Sequence, residues 1–463
     1  MNIFPSTLHR TKPMLIMSNG SERGDFVPLG HIFSRTGRIH DGIQVLKSYY
    51  PYEANWSAHH KISEVSGHEN VDFAWDYEYE DYHPFNLNTA DGNCREQFQD
   101  IKRFGSDLHL TIAMDLSLTD QDIEEVARSL RPYGRIFLRI NHECNGNWFR
   151  FNKYHSYKEV NDFFVRCHKI VKSNCSDIYT VFSLTGDFFA NEKVVTDFFL
   201  RLAPDEMREA LETADYWSLD RYASLHYGWP FEETVTPESK NTYFKGTVED
   251  WWRLIEECYL SMIWHNGLKM KPLFINEFNS DSNVDGLKAQ AEIVGSVYDR
   301  LARGDFAWLA GIAFYQFRDL GGLGLEKGDL EEFRENPALG AYRDAVNRIQ
   351  YRIQIEDWQE WPHADYYFSW CNSDSIRGLC IRGAQEQKQF ANTLPVPVYL
   401  VLENQKWERL PPGQTCDITG QSQFFLLVPP YTDGEGRIQY SFKLPGVKQA
   451  LGRMMAVKSE ICY

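Results

Sequence analysis

RIFLRINHECNGNWFR, Arg135–Arg150, changes character at its middle. Apolar and β-branched side chains (Ile136, Phe137, Leu138, Ile140) give way to a dense polar and aromatic set: Asn141, His142, Glu143, Asn145, Asn147, Trp148 and Phe149. A short apolar run that stops so abruptly predicts a buried strand whose end opens into a site. In an α/β barrel the C-terminal ends of all the strands converge on one bowl, so a carboxylate placed there faces ligand. Glu143 is therefore the first candidate for chemistry. A lone Glu at a strand end more often caps the next helix. The neighbours change that reading, because amides and an imidazole hydrogen-bond hydroxyls, an indole covers a pyranose face, and an acid protonates a leaving oxygen. By period-two alternation Arg139 points to the same side as Asn141 and Glu143.

Outward from this stretch, short apolar runs alternate with amphipathic ones from Phe26 to about Gln350, the rhythm of βα units around a parallel sheet. Strands are expected at Val27–Phe33, Val71–Tyr77, Leu108–Met114, the Glu143 strand, Ile178–Leu184 (ending near Asp187), Tyr216–Tyr222, Pro272–Ile275 and Ala310–Tyr315. Helices are signalled by two capping boxes, Thr119 with Asp122 and Ser156 with Glu159, each followed by apolar residues at i, i+3, i+4 and i+7. Thr247 and Asp250 open a further helix, and helix-forming text over Glu331–Ile349 closes the series. The run Trp75–His83, WDYEYEDYH, reads either as a solvated loop or as one wall of a sugar cleft.

Beyond about Tyr351 the text becomes alternating strand-like runs (Tyr366–Trp370, Gly378–Arg382, Val396–Leu402, Phe424–Val428, Arg437–Phe442) between turn clusters such as PPGQ and DGEG. The expected architecture is thus α/β: a (β/α)8 TIM barrel over residues 1–350 and an all-β sandwich over 351–463 that packs on the barrel.

Composition bounds the function. The chain has 463 residues, 43% of them hydrophobic and 15% aromatic, enough for a large core plus an appended domain. A formal charge of −17 argues against a nucleic-acid or anionic-membrane partner, since both require clustered Lys and Arg. No segment reaches the roughly 18 consecutive apolar residues of a membrane span. The first twenty residues lack the apolar core and cleavage site of an export signal, so a cytoplasmic location is expected; a chain that begins after a removed signal reads the same. Nine scattered Cys without C-x-x-C pairs fit reduced thiols, with a Cys371–Cys380 bridge open to an exported protein.

The segment LRINHECNGNWF resembles the R-x-x-H-E-M-N-G-x-W-F pattern at the fourth barrel strand of family 26 glycoside hydrolases, the β-mannanase family of the large retaining (β/α)8 clan. Cys144 stands where that family usually has Met. Asp220 and Tyr222 are similar to the family's D-x-Y at strand six, and strand seven delivers Asn276 and Glu277. The resemblance covers the barrel alone. It implies that Glu143 is the acid/base, Glu277 the nucleophile, and His142 a contact to the sugar at the cleavage subsite. A retaining pair must stand roughly 5 to 5.5 Å apart, and the acid must keep its proton through partial burial beside Trp148 and the charge of Glu277.

The candidate sugar-binding set comprises Arg139, Asn141, His142, Asn145, Trp148, Phe149, Asp220, Tyr222 and Gln316. Tyr222 is expected to donate a hydrogen bond to Glu277. Strand five (SLTGDFF) and strand eight (FYQFRD) lack the aromatic groups expected beside the cleavage subsite, which bears on mannan specificity more than on mechanism.

No cofactor or metal is expected. A zinc-protease motif needs His four places after His142, and that position is Gly146. GGLGLEKG lacks the third glycine of a dinucleotide loop, and no G-x-S-x-G elbow occurs. The expected partner is a β-linked poly- or oligosaccharide, either as substrate or, in a barrel that has lost the reaction, as a bound ligand.

Overall fold

The computed structural model describes residues 2–9, 13–21, 24–52, 82–86, 93–104, 106–146, 149–175, 177–186, 202, 205–226, 236, 243–304, 306 and 308–348, and beyond these 354–357, 365–367, 375–382, 389–392, 398–403, 407–427, 431–432, 438–439 and 443–445. Eight parallel strands close into a barrel: β1 Met14–Ser18, β2 Gly42–Tyr49, β3 Asp107–Met114, β4 Ile136–Ile140, β5 Ile178–Thr185, β6 Tyr216–Asp220, β7 Leu273–Phe278 and β8 Leu309–Phe314. Helices α1 Leu29–Thr36, α2 Asn93–Arg103, α3 Asp120–Leu130, α4 Tyr157–Asn174, α5 Arg208–Thr213, α6 Val248–His265, α7 Leu287–Arg303 and α8 Pro337–Val346 follow the strands in turn. The alternation of βα units is that of a (β/α)8 barrel.

Both capping boxes form. The Thr119 hydroxyl accepts from the backbone of Asp122 while the Asp122 carboxylate accepts from the backbone of Thr119, and Ser156 and Glu159 repeat the arrangement at α4. Behind these caps, Ile123, Val126, Ala127 and Leu130 of α3 and Val160, Phe163, Phe164, Cys167 and Val171 of α4 are buried in one core between strands and helices.

Two early strand expectations fail. Val27–Phe33 is not a strand: α1 begins after Pro28 and buries Leu29, Ile32 and Thr36, a helical spacing. The first barrel strand is instead Met14–Ser18, whose five residues are all buried, as parallel barrel strands require. The second is Gly42–Tyr49; Val71–Tyr77 lies outside the described residues. Near the end, Glu331–Ile349 is not one helix. Phe333–Glu335 pairs as a strand, and Pro337, which has no N–H to donate, sits at the first turn of α8.

The β-rich remainder forms a six-stranded antiparallel sheet in the order 354–357, 2–9, 375–382, 423–427, 398–402, 407–410. Its second strand comes from the start of the chain. Asn2–His9 pairs along its whole length with Ser375–Arg382, so the first residues, read above as part of the barrel, contribute their backbone to the C-terminal sheet. Cys371 lies outside the described residues. No helix among the described residues is long and apolar enough to cross a membrane.

Candidate active site

Leaving β4, the backbone takes two left-handed turns, at Asn141 (φ 52°) and Glu143 (φ 50°). Asn tolerates this conformation, whereas for Glu it costs on the order of 1–3 kcal/mol. The surroundings supply the compensation. Asn141 N–H donates to the Ile112 carbonyl at 3.0 Å, the Asn141 Oδ1 accepts from Met114 N–H at 2.6 Å, and Cys144 N–H donates to the Ser183 carbonyl at 3.0 Å. Glu143 is thereby held half-exposed at the mouth of the barrel between β3 and β5.

Glu277 reaches the same place by a different device. Strict alternation along LFINEF would send Asn276 and Glu277 to opposite faces. The pairing of β7 with both of its neighbours shifts register after Ile275. As a result both side chains face the axis: Asn276 Nδ2 donates to Gln44 Oε1 of β2 across the barrel at 2.5 Å, and Glu277 meets Arg139 of β4. One carboxylate oxygen from each of Glu143, Asp220 and Glu277 lies within 4.8 Å of the others.

Arg139 is the hub. Its Nε donates to Thr111 Oγ1 at 2.7 Å, Nη1 to both oxygens of Asp220 at 2.7 Å, and Nη2 to Glu277 Oε1 at 2.8 Å. The Tyr222 hydroxyl donates to the other oxygen, Glu277 Oε2, at 2.9 Å. Burial disfavours the guanidinium charge, but Asp220 and Glu277 more than offset it, and the pKa of Arg139 is raised above its ordinary value. Arg139 thus occupies both oxygens of Asp220 and one of Glu277, so a cation seated among the three carboxylates would compete with its N–H donors.

His142 is buried, with Nε2 2.8 Å from the Tyr82 hydroxyl and its ring 4.2 Å from that of Phe149. Burial, followed by the charge of Arg139, holds its pKa well below 6.5, so the imidazole is neutral. Tyr82 belongs to the WDYEYEDYH run, of which only Tyr82 and His83 are described. Its segment is pinned to the end of β2, where Ser48 N–H donates to the His83 carbonyl and Phe85 N–H to the Ser48 carbonyl. Phe149 is half-buried against His142 and Phe151.

Three residues of the sequence-derived set are placed differently from the rest. The Asn145 amide is occupied by backbone, accepting from Thr185 N–H and donating to the carbonyls of Thr185 and Leu202. Asn141 is tied to Met114, as above. Gln316 is buried, accepting from the Ser21 hydroxyl at 2.9 Å and donating to Asp319 at 3.2 Å. All three clamp loops. Trp148, Asn147 and Asp187 lie outside the described residues.

Sequence reasoning missed Thr111 and Tyr82. Thr111 had a signal: in DLHLTIAM the polar His109 and Thr111 alternate with Leu108, Leu110 and Ile112, which marks an inward-facing polar pair. Tyr82 lay within the run Trp75–His83, read either as a solvated loop or as a cleft wall, but nothing in that run singled it out.

No protein-family model matches the chain, and no curated protein matches its sequence. Solved structures similar to it include a glucosidase from Croceicoccus marinus, with 11% identity over 90% of this chain and 96% of that one and a TM-score of 0.46. A GH51 arabinofuranosidase from Xanthomonas axonopodis pv. citri is 12% identical over 92% and 99%, with a TM-score of 0.44. A GH26 β-mannanase from Bacteroides ovatus is 10% identical over 76% and 94%, with a TM-score of 0.39. The chemistry of the site rests on its own side chains.

Proposed function

We propose that this protein is a retaining glycoside hydrolase acting on a β-linked poly- or oligosaccharide by double displacement. The observation that carries this reading is the close approach of Glu143 and Glu277, with oxygens within 4.8 Å at the ends of β4 and β7. That spacing suits the roughly 5 to 5.5 Å of a retaining pair and leaves too little room for the interposed water of an inverting one.

Glu277 is the nucleophile. Both of its oxygens accept hydrogen bonds, from Arg139 and Tyr222, which fixes the carboxylate plane and aims it at one point. One oxygen attacks the anomeric carbon as the bond from that carbon to the leaving oxygen breaks. Glu143, which takes no hydrogen bond from Arg139, gives its proton to the leaving oxygen. Water then attacks the anomeric carbon, the ester bond to Glu277 breaks, and the water proton passes to Glu143. The family resemblance makes His142 a contact to the sugar at the cleavage subsite; its neutral ring packs on Phe149 with Nε2 paired to the Tyr82 hydroxyl.

A β-mannoside is the preferred substrate on the likeness of LRINHECNGNWF to the family 26 pattern. Release of reducing sugar from mannan, glucan, xylan and galactan tests both parts. Activity on mannan supports the full reading, and activity on another β-glycan alone keeps the mechanism but replaces the sugar. Inactivity on all four, together with binding to one, makes the barrel a carbohydrate-binding protein.

A further inference from the structure

Asp220 entered the sugar-binding set through its place at the end of strand six, yet both its oxygens accept from one amino group of Arg139 and its side chain is fully buried. Arg139 in turn is shared by two carboxylates on neighbouring strands, for Asp220 and Glu277 are register partners of β6 and β7. Two anions around one cation leave a net charge of −1 before reaction. If Glu277 and Arg139 stood alone, the pair would be neutral at the start, and once Glu277 became an ester the buried guanidinium would be left without a bonded counter-charge, the new negative charge lying on half-exposed Glu143. Arg cannot shed its proton to escape, and an unpaired buried charge costs several kcal/mol.

We propose that Asp220 is a positioning residue that keeps Arg139 charge-balanced while Glu277 carries the sugar. This inference rests on the glycosidase reading above. Asp220 anchors the guanidinium from one side and Thr111 from another, so that Nη2 stays directed at Glu277 Oε1. When the glycosyl ester forms, the negative charge passes from Glu277 to Glu143, which is half-exposed and takes no hydrogen bond from Arg139; the buried Arg139–Asp220 pair remains neutral. Asp220 acts through Arg139 and has no contact with the sugar.

The test is a double-mutant cycle of Asp220→Asn and Arg139→Gln in the full chain. It is assayed on 2,4-dinitrophenyl β-mannoside, β-glucoside, β-xyloside and β-galactoside, whichever the wild type turns over. Asp220→Asn alone should lower kcat/KM by about 100-fold through kcat, with KM changed less than about threefold. In the Arg139→Gln background the same substitution should cost less than about threefold, because no charge is left to balance. A rise in KM at unchanged kcat, as for a sugar ligand, or an equal loss in both backgrounds overturns the proposal.

Thermal unfolding gives a second readout that needs no turnover. With the intermediate trapped by a 2-deoxy-2-fluoro dinitrophenyl glycoside, Asp220→Asn should lower the Tm of the glycosyl-enzyme more than that of the resting enzyme, in which Glu277 still pairs with Arg139; an equal drop in both states overturns the proposal. A wild type inactive on the four aryl glycosides and on the four polysaccharides overturns the glycosidase reading, and this inference falls with it.

Discussion

Glu143 and Glu277 bring carboxylate oxygens within 4.8 Å of each other from opposite sides of the barrel mouth, and only one of the two is held by Arg139. This asymmetry separates a group that attacks from a group that exchanges a proton. Their alanine variants should therefore fail differently. Glu277→Ala cannot form the glycosyl-enzyme even from an activated aryl glycoside, and azide should restore turnover with inversion at the anomeric carbon. Glu143→Ala should still be glycosylated by a dinitrophenyl glycoside but stall before hydrolysis, and azide should rescue it with retention. Product stereochemistry by NMR reads both outcomes, and wild-type rates in either variant on natural substrate remove the residue from the mechanism.

Tyr222→Phe removes the donor to Glu277 Oε2 while the ring stays packed in the cluster with Tyr315 and Phe244. A hydrogen bond to a charged group contributes about 1.5–3 kcal/mol, so kcat/KM should fall about 10- to 100-fold. Melting temperature should move little. Steady-state kinetics beside a thermal melt tell this loss from general damage.

Chelation should leave activity intact. Glu143, Asp220 and Glu277 are clustered as metal ligands would be, but Arg139 donates to both oxygens of Asp220 and to one of Glu277, and carboxylate chemistry needs no Lewis acid. Loss of activity in chelator that returns with a divalent ion would contradict this arrangement.

Stability should fall in mild acid through two buried imidazoles. Burial, with Arg38 adding to it, lowers the pKa of His40 to about 3, and burial with Arg139 lowers that of His142 well below 6.5. In the unfolded chain both take a proton near pH 6.5. Between that value and the folded pKa the unfolded state binds more protons, so stability drops as pH falls, by about 1.4 kcal/mol per pH unit for each His. For His40 the loss continues down to about pH 3. Denaturant melts at pH 7, 6 and 5 should show this slope reduced by one proton in His40→Gln. An unchanged slope would exclude His40 as a source.

Deletion after Gln350 should lower stability or solubility rather than remove a dispensable module. Asn2–His9 pairs with Gln354–Asp357 on one side and Ser375–Arg382 on the other, so truncation strips the amino-terminal strand of both partners and leaves an open edge. Thermal melts and polysaccharide affinity gels on the truncated and full chains give the comparison. An unchanged Tm with lost affinity would mark the sheet as a binding module.

The sequence by itself determined the elements that local chemistry encodes. Apolar runs of the right length marked β3 to β8, side-chain oxygens three residues apart marked the starts of α3 and α4, and the break at Asn141 marked where β4 opens into a site carrying Glu143. Tertiary structure decided what depends on pairing between distant segments. MLIMS became the first strand, filling the place between β8 and β2, and within VPLGHIF the residues from Leu29 onward became a helix. Asn2–His9 left the barrel for a sheet whose other strands lie more than three hundred residues on. Glu277 faces the axis because β7 slips its register, which alternation cannot foretell. Asn141, Asn145 and Gln316 carry side chains that suit a sugar, yet nearby backbone and side-chain groups took their hydrogen bonds. A residue type states which bonds a side chain can make, and the fold decides which partner arrives first.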